Sequence, residues 1–180
     1  MIELIIFRGI YPPIIFFMKS VIIIRHAKSS WDQPDVADFD RPLNDRGKED
    51  APKMAARLLD RKVKIDAFIA SSAKRARKTA SLFIKEFGGD KEDIILAPEL
   101  YLAGPDAFYD TIAKAPASAN TIALFAHNPG ITEFANELTD VRIDDMPTCA
   151  IFAVKADIKE WSQFKDAQKQ YWFFDFPKAK

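Results

Sequence analysis

Four consecutive β-branched residues, Val21-Ile-Ile-Ile24, run straight into Arg25 and His26. Such side chains are stiff at χ1 and pack well on a pleated surface, so the run reads as a strand. A half-buried strand would alternate apolar and polar residues. This one does not, so both of its faces must be covered. Ser20 to Ile24 is therefore expected inside a sheet with layers packed above and below. The apolar run ends where two anion-binding side chains begin.

The rest of the chain alternates in the same sense. Residues 25 to 44 form a polar loop containing Pro34 and Pro42. Asn44 is a plausible N-cap for a helix reaching about Leu59, with Pro52 expected to kink it or to mark its true first turn. Asp66 to Ala70 is a second apolar run. Ser71 or Ser72 is expected to cap a helix to about Phe87, with Ala76, Ala80, Phe83, Ile84 and Phe87 on one face, and Gly88-Gly89 to end it. Asp93 to Leu96 and Thr121 to Ala126 are further strand candidates. Pro105 and Pro129 each open a helix. Ala150 to Lys155 and Gln170 to Phe176 read as late strands, with no comparable helix between them. Alternating strands and helices predict an α/β fold: a three-layer α/β/α sandwich with a mostly parallel central sheet.

The chain of 180 residues is expected to hold one domain, 18–180. Residues 1–17, MIELIIFRGIYPPIIFF, form an apolar N-terminal extension broken by Arg8, Gly9 and Pro12-Pro13. It is too short and interrupted for a spanning helix, and it lacks the basic start and cleavage site of a signal peptide. Met18 is a natural alternative start, because the first strand follows at once. No stable membrane insertion is expected, and the expected location is cytoplasmic. Lys and Arg balance Asp and Glu at 26 each, which argues against bulk attraction to nucleic acid. A single cysteine, Cys149, excludes a disulfide framework, and two histidines without ligand spacing favour neither a metal nor another cofactor.

Those two histidines, His26 and His127, both follow predicted strands, as do Arg25 and the Ser71-Ser72 pair. Ligands of open α/β sheets bind beyond the carboxyl ends of the strands, so parallel neighbours would bring these residues to one rim. Arg75 falls in the first turn of its predicted helix, where free N–H groups favour an anion. Arginine forks match phosphate oxygens in pairs. An imidazole with a free nitrogen can attack phosphorus, and a second can stabilise developing charge. Alone, each element has a plainer reading: a surface Arg-His pair, a capped helix, a structural histidine in a strand-to-helix turn. Joint placement after separate strands favours the chemical one.

RHAKSSWD resembles the Arg-His signature of the histidine phosphatase superfamily in its wider phosphoglycerate mutase-like form, with Ala27 and Lys28 as departures. RPLNDRGKEDA resembles the family's Pro-Leu helix start, SSAKRARKTA its Ser-Arg-Thr helix motif, and AHNPGIT its second histidine loop. The motifs come in family order over residues 18 to 154. With PELY and PTCAI they point to small phosphohistidine phosphatases of the SixA type. The resemblance implies a phosphoglycerate mutase-like fold and a covalent intermediate on His26. Arg25 and Arg75 would bind phosphate, and His127 would be the second pocket histidine. Ser29, Asn44, Ser71 and Asn128 would be further phosphate or substrate contacts. Larger members carry an acidic donor on an inserted loop, and Glu99 in PELYLAGPD is the nearest candidate here.

The leading expectation is a metal-independent phosphohistidine phosphatase acting on a phosphorylated protein of the histidine phosphotransfer type. The alternatives are a phosphatase for small phosphoesters or a non-catalytic phosphate-binding module. A mutase is disfavoured, because it needs extra loops to retain its intermediate.

Overall fold

The structure, a computed structural model, describes residues 18–32 and 35–179. The apolar extension 1–17 and Pro34 of the polar loop lie outside the described residues. Six strands form one sheet in the order β3-β2-β4-β1-β5-β6. They are β1 (Met18–Arg25), β2 (Ala67–Ala70), β3 (Ile95–Leu96), β4 (Thr121–Ala126), β5 (Ile151–Asp157) and β6 (Lys169–Asp175). The first four are mutually parallel, and β5 runs against β1 and β6. Four helices cover the sheet: α1 (Asp45–Asp60), α2 (Lys74–Glu86), α3 (Pro105–Ala113) and α4 (Gly130–Leu138).

β1 explains the unbroken apolar run. Val21 and Ile23 enter one core with Phe108 and Ile112 of α3 and Ile131 and Phe134 of α4. Ile22 and Ile24 enter the other with Met54 and Leu58 of α1 and Phe83 and Ile84 of α2. All four β1 side chains are fully buried, contributing roughly 1.5–3 kcal/mol each in apolar transfer. The three-layer α/β/α sandwich is the observed architecture.

Crossovers on opposite faces decide where the site lies. α1 leaves β1 over one face, and α4 leaves β4 over the other. β1 and β4 are nonetheless neighbours, so a crevice opens between their carboxyl ends, the switch point at which such sheets bind ligands.

Local expectations mostly hold. Asn44 caps α1, its side chain accepting from the Gly47 amide. Pro52 sits in the interior of α1 and so does not mark a first turn. Ser71 and Ser72 do not cap α2: the helix begins at Lys74 with Ala73 as N-cap and no side-chain cap. Its end is as expected, with Gly88 at φ 79° donating to the Lys85 carbonyl. β3 is only two residues long, because Asp93 closes a short 3-10 turn instead.

Candidate active site

The β1–β4 register pairs Arg25 with Ala126, so the next residue on each strand is a histidine. The His26 amide donates to the Ala126 carbonyl at 3.0 Å. The two imidazoles are left side by side, with ring centroids 4.9 Å apart, about one strand spacing. Ser71 follows β2 on the other side of β4, its amide bound to the Phe125 carbonyl. The predicted rim exists, and it holds Arg25, His26, Ser71, Arg75 and His127.

His26 is oriented from both sides. Its Nδ1 lies 2.8 Å from the carbonyl of Ala27, which can only accept, so Nδ1 carries the proton. Nε2 is therefore bare, and it accepts from Arg75 Nε at 3.2 Å. Burial pushes this imidazole down to about 3, opposed by the Ala27 carbonyl and aided by Arg75, Arg25 and Arg41. It is neutral at physiological pH. Thr79 anchors this arrangement: its hydroxyl accepts from the Ala27 amide and donates to the Arg75 carbonyl.

His127 is equally buried. Nε2 lies 2.8 Å from Ser71 Oγ, while Nδ1 has no partner among the described residues. Burial, then the nearby His26 and Arg75, push it to about 3, with Asp38 opposing. Tyr101 packs edge-on against its ring.

Arg75 is almost fully buried and wholly engaged. Beyond His26, its terminal nitrogens meet the main-chain oxygen of Asp38 and, at 2.9 Å, its carboxylate. Arg41 reaches the other oxygen of that carboxylate at 2.8 Å and stacks 3.6 Å over Trp31, with Nε and one terminal nitrogen buried and without a partner among the described residues. Tyr101 also donates to Asp38 at 2.8 Å. Burial raises the Asp38 carboxyl, but Tyr101, Arg75 and Arg41 together outweigh it and hold it below its ordinary range. Arg25 pairs with Asp145 at 3.2 Å and with the Met146 carbonyl, its Nε buried and without a partner among the described residues. Three guanidinium groups and two neutral imidazoles thus cluster at one rim, an arrangement able to hold a tetrahedral oxyanion against a nucleophilic nitrogen.

Residues 21–101 match the sequence family described as the histidine phosphatase superfamily, branch 1. The chain belongs to that superfamily. An uncharacterized protein of Mycobacterium tuberculosis is 31% identical over 66% of this chain and 71% of its own length. The fold is SixA-like. A SixA structure from Agrobacterium tumefaciens superposes with a TM-score of 0.72 at 25% identity, covering 87% of this chain and 96% of the other. A SixA structure from Nakamurella multipartitia gives 0.75 at 21% identity, covering 90% and 98%. Histidine phosphatase membership and the oxyanion pocket together support phosphatase chemistry.

The other expected contacts are engaged within the fold. Asn44 spends its side-chain oxygen on the α1 cap, 2.9 Å from the Gly47 amide. Ser29 is buried in an isolated bridge to Leu43. Asn128 holds the Asp145–Met146 segment and accepts from Thr132, so it supports the partner of Arg25. Glu99 is exposed in the 3-10 turn Pro98–Leu100, and the carboxylate bonded to Arg75 is Asp38. Asp38, Arg41, Thr79 and Tyr101 were not foreseen as site residues. Arg41, Thr79 and Tyr101 lie inside RPLNDRG, RARKTA and PELY, so the motif strings were the available signal. Asp38 had none.

Among the described residues no group of three or more His, Cys, Asp or Glu gathers to hold a metal ion. None of their helices is long and apolar enough to cross a membrane.

Proposed function

We propose that this protein is a phosphatase that works through a phosphorylated His26, with a phosphohistidine side chain of another protein as its substrate class. The observation that carries the reading is the state of His26: a neutral imidazole, its proton held on Nδ1 by Ala27, its Nε2 bare beside Arg75. In the first step Nε2 attacks phosphorus and the leaving group departs on the opposite side. In the second, water attacks the phosphorylated imidazole, releasing phosphate and restoring His26. Arg25, Arg41 and Arg75 balance the phosphoryl charge. His127, in the tautomer with Nδ1 protonated, donates to a phosphoryl oxygen while Ser71 holds its other nitrogen. Guanidinium groups supply the positive charge, so turnover is expected to persist with a chelator present.

Support for the substrate class comes from the exposed edge of the site and from the likeness to the A. tumefaciens SixA structure along nearly all of that chain. Trp31 is exposed beside Arg41, and the connection from β3 to α3 that carries Tyr101 is short, which leaves room for a histidine displayed on another folded protein. A cytoplasmic phosphotransfer-type domain is the proposed partner. The test is a comparison of specificity constants for a phosphohistidine protein, an aryl phosphate and a sugar phosphate. A clear preference for the phosphoprotein is expected, with acid-labile, base-stable phosphate trapped on His26. Preference for the sugar phosphate would move the substrate class to small phosphoesters. Substantial turnover by His26→Ala would remove the mechanism itself.

A further inference from the structure

We propose that Asp38 is the proton donor and acceptor of this site, a catalytic role resting on the phosphorylated-His26 reading above. Three observations on geometry lead to it. First, Asp38 is the carboxylate that contacts Arg75, and Arg75 contacts the attacking nitrogen of His26. Second, the site has an inside and an outside: His26, His127 and Arg75 are buried, whereas the Asp38 side chain is 47% exposed. In-line attack by His26 from within sends the leaving group outward, to the side on which Asp38 stands. Third, the Asp38 carboxylate sits on two of the pocket arginines and on the Tyr101 hydroxyl, the set of donors that an incoming phosphoryl group needs.

The third point joins the other two. In the free protein the carboxylate occupies donors that phosphate will claim. A phosphoryl oxygen taking the Arg75 fork turns that carboxylate off its cation and leaves it beside a dianion. Loss of a positive partner and gain of a negative one both favour protonation. Asp38 thus becomes an acid when an acid is needed. Its segment is held for the purpose: the Ser30 amide bonds the Pro42 carbonyl and the Asn44 amide bonds the Lys28 carbonyl, closing the loop at its base. Phe39 packs edge-on against Tyr101 at 5.1 Å, fixing the tip over the histidines.

The proton balance closes. As the Nε2–P bond forms and the bond from phosphorus to the leaving group breaks, the Asp38 carboxyl proton passes to the leaving oxygen or nitrogen. The resulting carboxylate then takes a proton from water as the water oxygen attacks phosphorus and the Nε2–P bond breaks. The proton that Asp38 takes from solvent as phosphate displaces it from Arg75 and Arg41 returns to solvent when product leaves and the carboxylate regains those arginines, so the net reaction is hydrolysis.

Asp38→Asn keeps the shape and hydrogen-bonding reach but cannot donate or accept the proton. Alkyl phosphate hydrolysis is expected to fall by ~100- to 10,000-fold, the range of general acid catalysis. Hydrolysis of an activated aryl phosphate should lose far less in its first step, because that leaving group needs no proton. The second step still lacks its base, so phosphorylated His26 should accumulate as a burst with the aryl substrate. Asp38→Glu should recover part of the alkyl activity. Inorganic phosphate should inhibit Asp38→Asn more strongly than the wild type, which both reports a folded pocket and follows from removing an internal competitor. An equal loss on alkyl and aryl substrates with no burst would overturn the proposal, as would unchanged or faster turnover on every substrate. Absence of phosphate on His26 in the wild-type protein would instead remove the underlying mechanism, so the two failures are separable.

Discussion

Arg75 Nε donates to His26 Nε2 across 3.2 Å, so a buried cation and the bare nitrogen of a neutral imidazole hold each other in place. The bond does two things. It fixes the plane of the imidazole, and it holds the guanidinium within reach of the oxygens of a phosphoryl group that approaches Nε2. As phosphate enters, the Arg75 N–H turns from nitrogen to oxygen, which frees the lone pair and keeps the cation beside the charge that develops.

Arg75→Ala is expected to cost roughly 3 kcal/mol or more in transition-state stabilisation, the scale of one lost preorganised donor and more than a hundredfold in kcat/KM. Arg75→Lys should restore only part, since an ammonium cannot meet His26 and two acceptors on Asp38 at once. Steady-state kinetics on an aryl phosphate decides it. Full activity in the lysine variant would show that a point charge suffices.

Ser71→Ala should act through His127. The variant strips the one hydrogen-bond partner from a buried imidazole whose other nitrogen is already unpaired. Leaving such a group unsatisfied costs about 1–3 kcal/mol. Urea unfolding should register that loss, and kcat should fall because the ring is no longer oriented. Ser71→Thr, which keeps the hydroxyl, should recover turnover better than Ala.

Stability should decline as acid is added well before most carboxylates titrate. His26 and His127 are pushed down to about 3 in the folded protein, chiefly by burial. In the unfolded chain each takes a proton below about 6.5. Between those values the unfolded state binds more protons, so stability rises with pH across the window and is lost as pH falls. Each histidine contributes a slope of up to about 1.4 kcal/mol per pH unit. Denaturation midpoints at pH 7.5, 6 and 5 test this, and His127→Gln should flatten the slope whatever it does to absolute stability. A flat profile in the wild type would mean that the imidazoles are hydrated and charged.

Gly130→Ala should damage the site from a distance. A Cβ there would lie 1.6 Å from the Ala103 carbonyl oxygen, so α4 and the 101–104 segment must separate. That segment carries Tyr101, which bonds Asp38 and packs on His127. Overpacking of this kind costs typically about 1–3 kcal/mol. A lower Tm together with reduced turnover is the expected result. Gly104→Ala, where a Cβ meets nothing within 4 Å, is the matched control.

Much of this was legible in the chain, and the reason differs by element. β1 could be read because burial on both faces leaves no polar position in it. α1 could be read from Asn44, since a cap needs a side-chain oxygen next to free amides. Ser71 misled for the same reason: its hydroxyl could serve a helix amide or another side chain, and local sequence does not rank the two. The helix starts too late, and His127 takes the hydroxyl instead. Glu99 misled because position in a motif carries no orientation. It is exposed in the turn before Tyr101, while Asp38, sixty-one residues earlier, is the carboxylate bonded to Arg75.

By itself the sequence determined the layers, the strand ends and the residue types waiting there, because those follow from the local period of burial and from short-range capping and turns. Only the tertiary structure decided which ends meet. The Arg25–Ala126 pairing, between residues about a hundred positions apart, sets the histidines side by side. The closed loop between Lys28 and Asn44 chooses Asp38 from several nearby aspartates to sit on Arg75 and Arg41. Both are matters of long-range register and loop path. The backbone alternatives are close in local energy, and packing across the whole sheet selects among them.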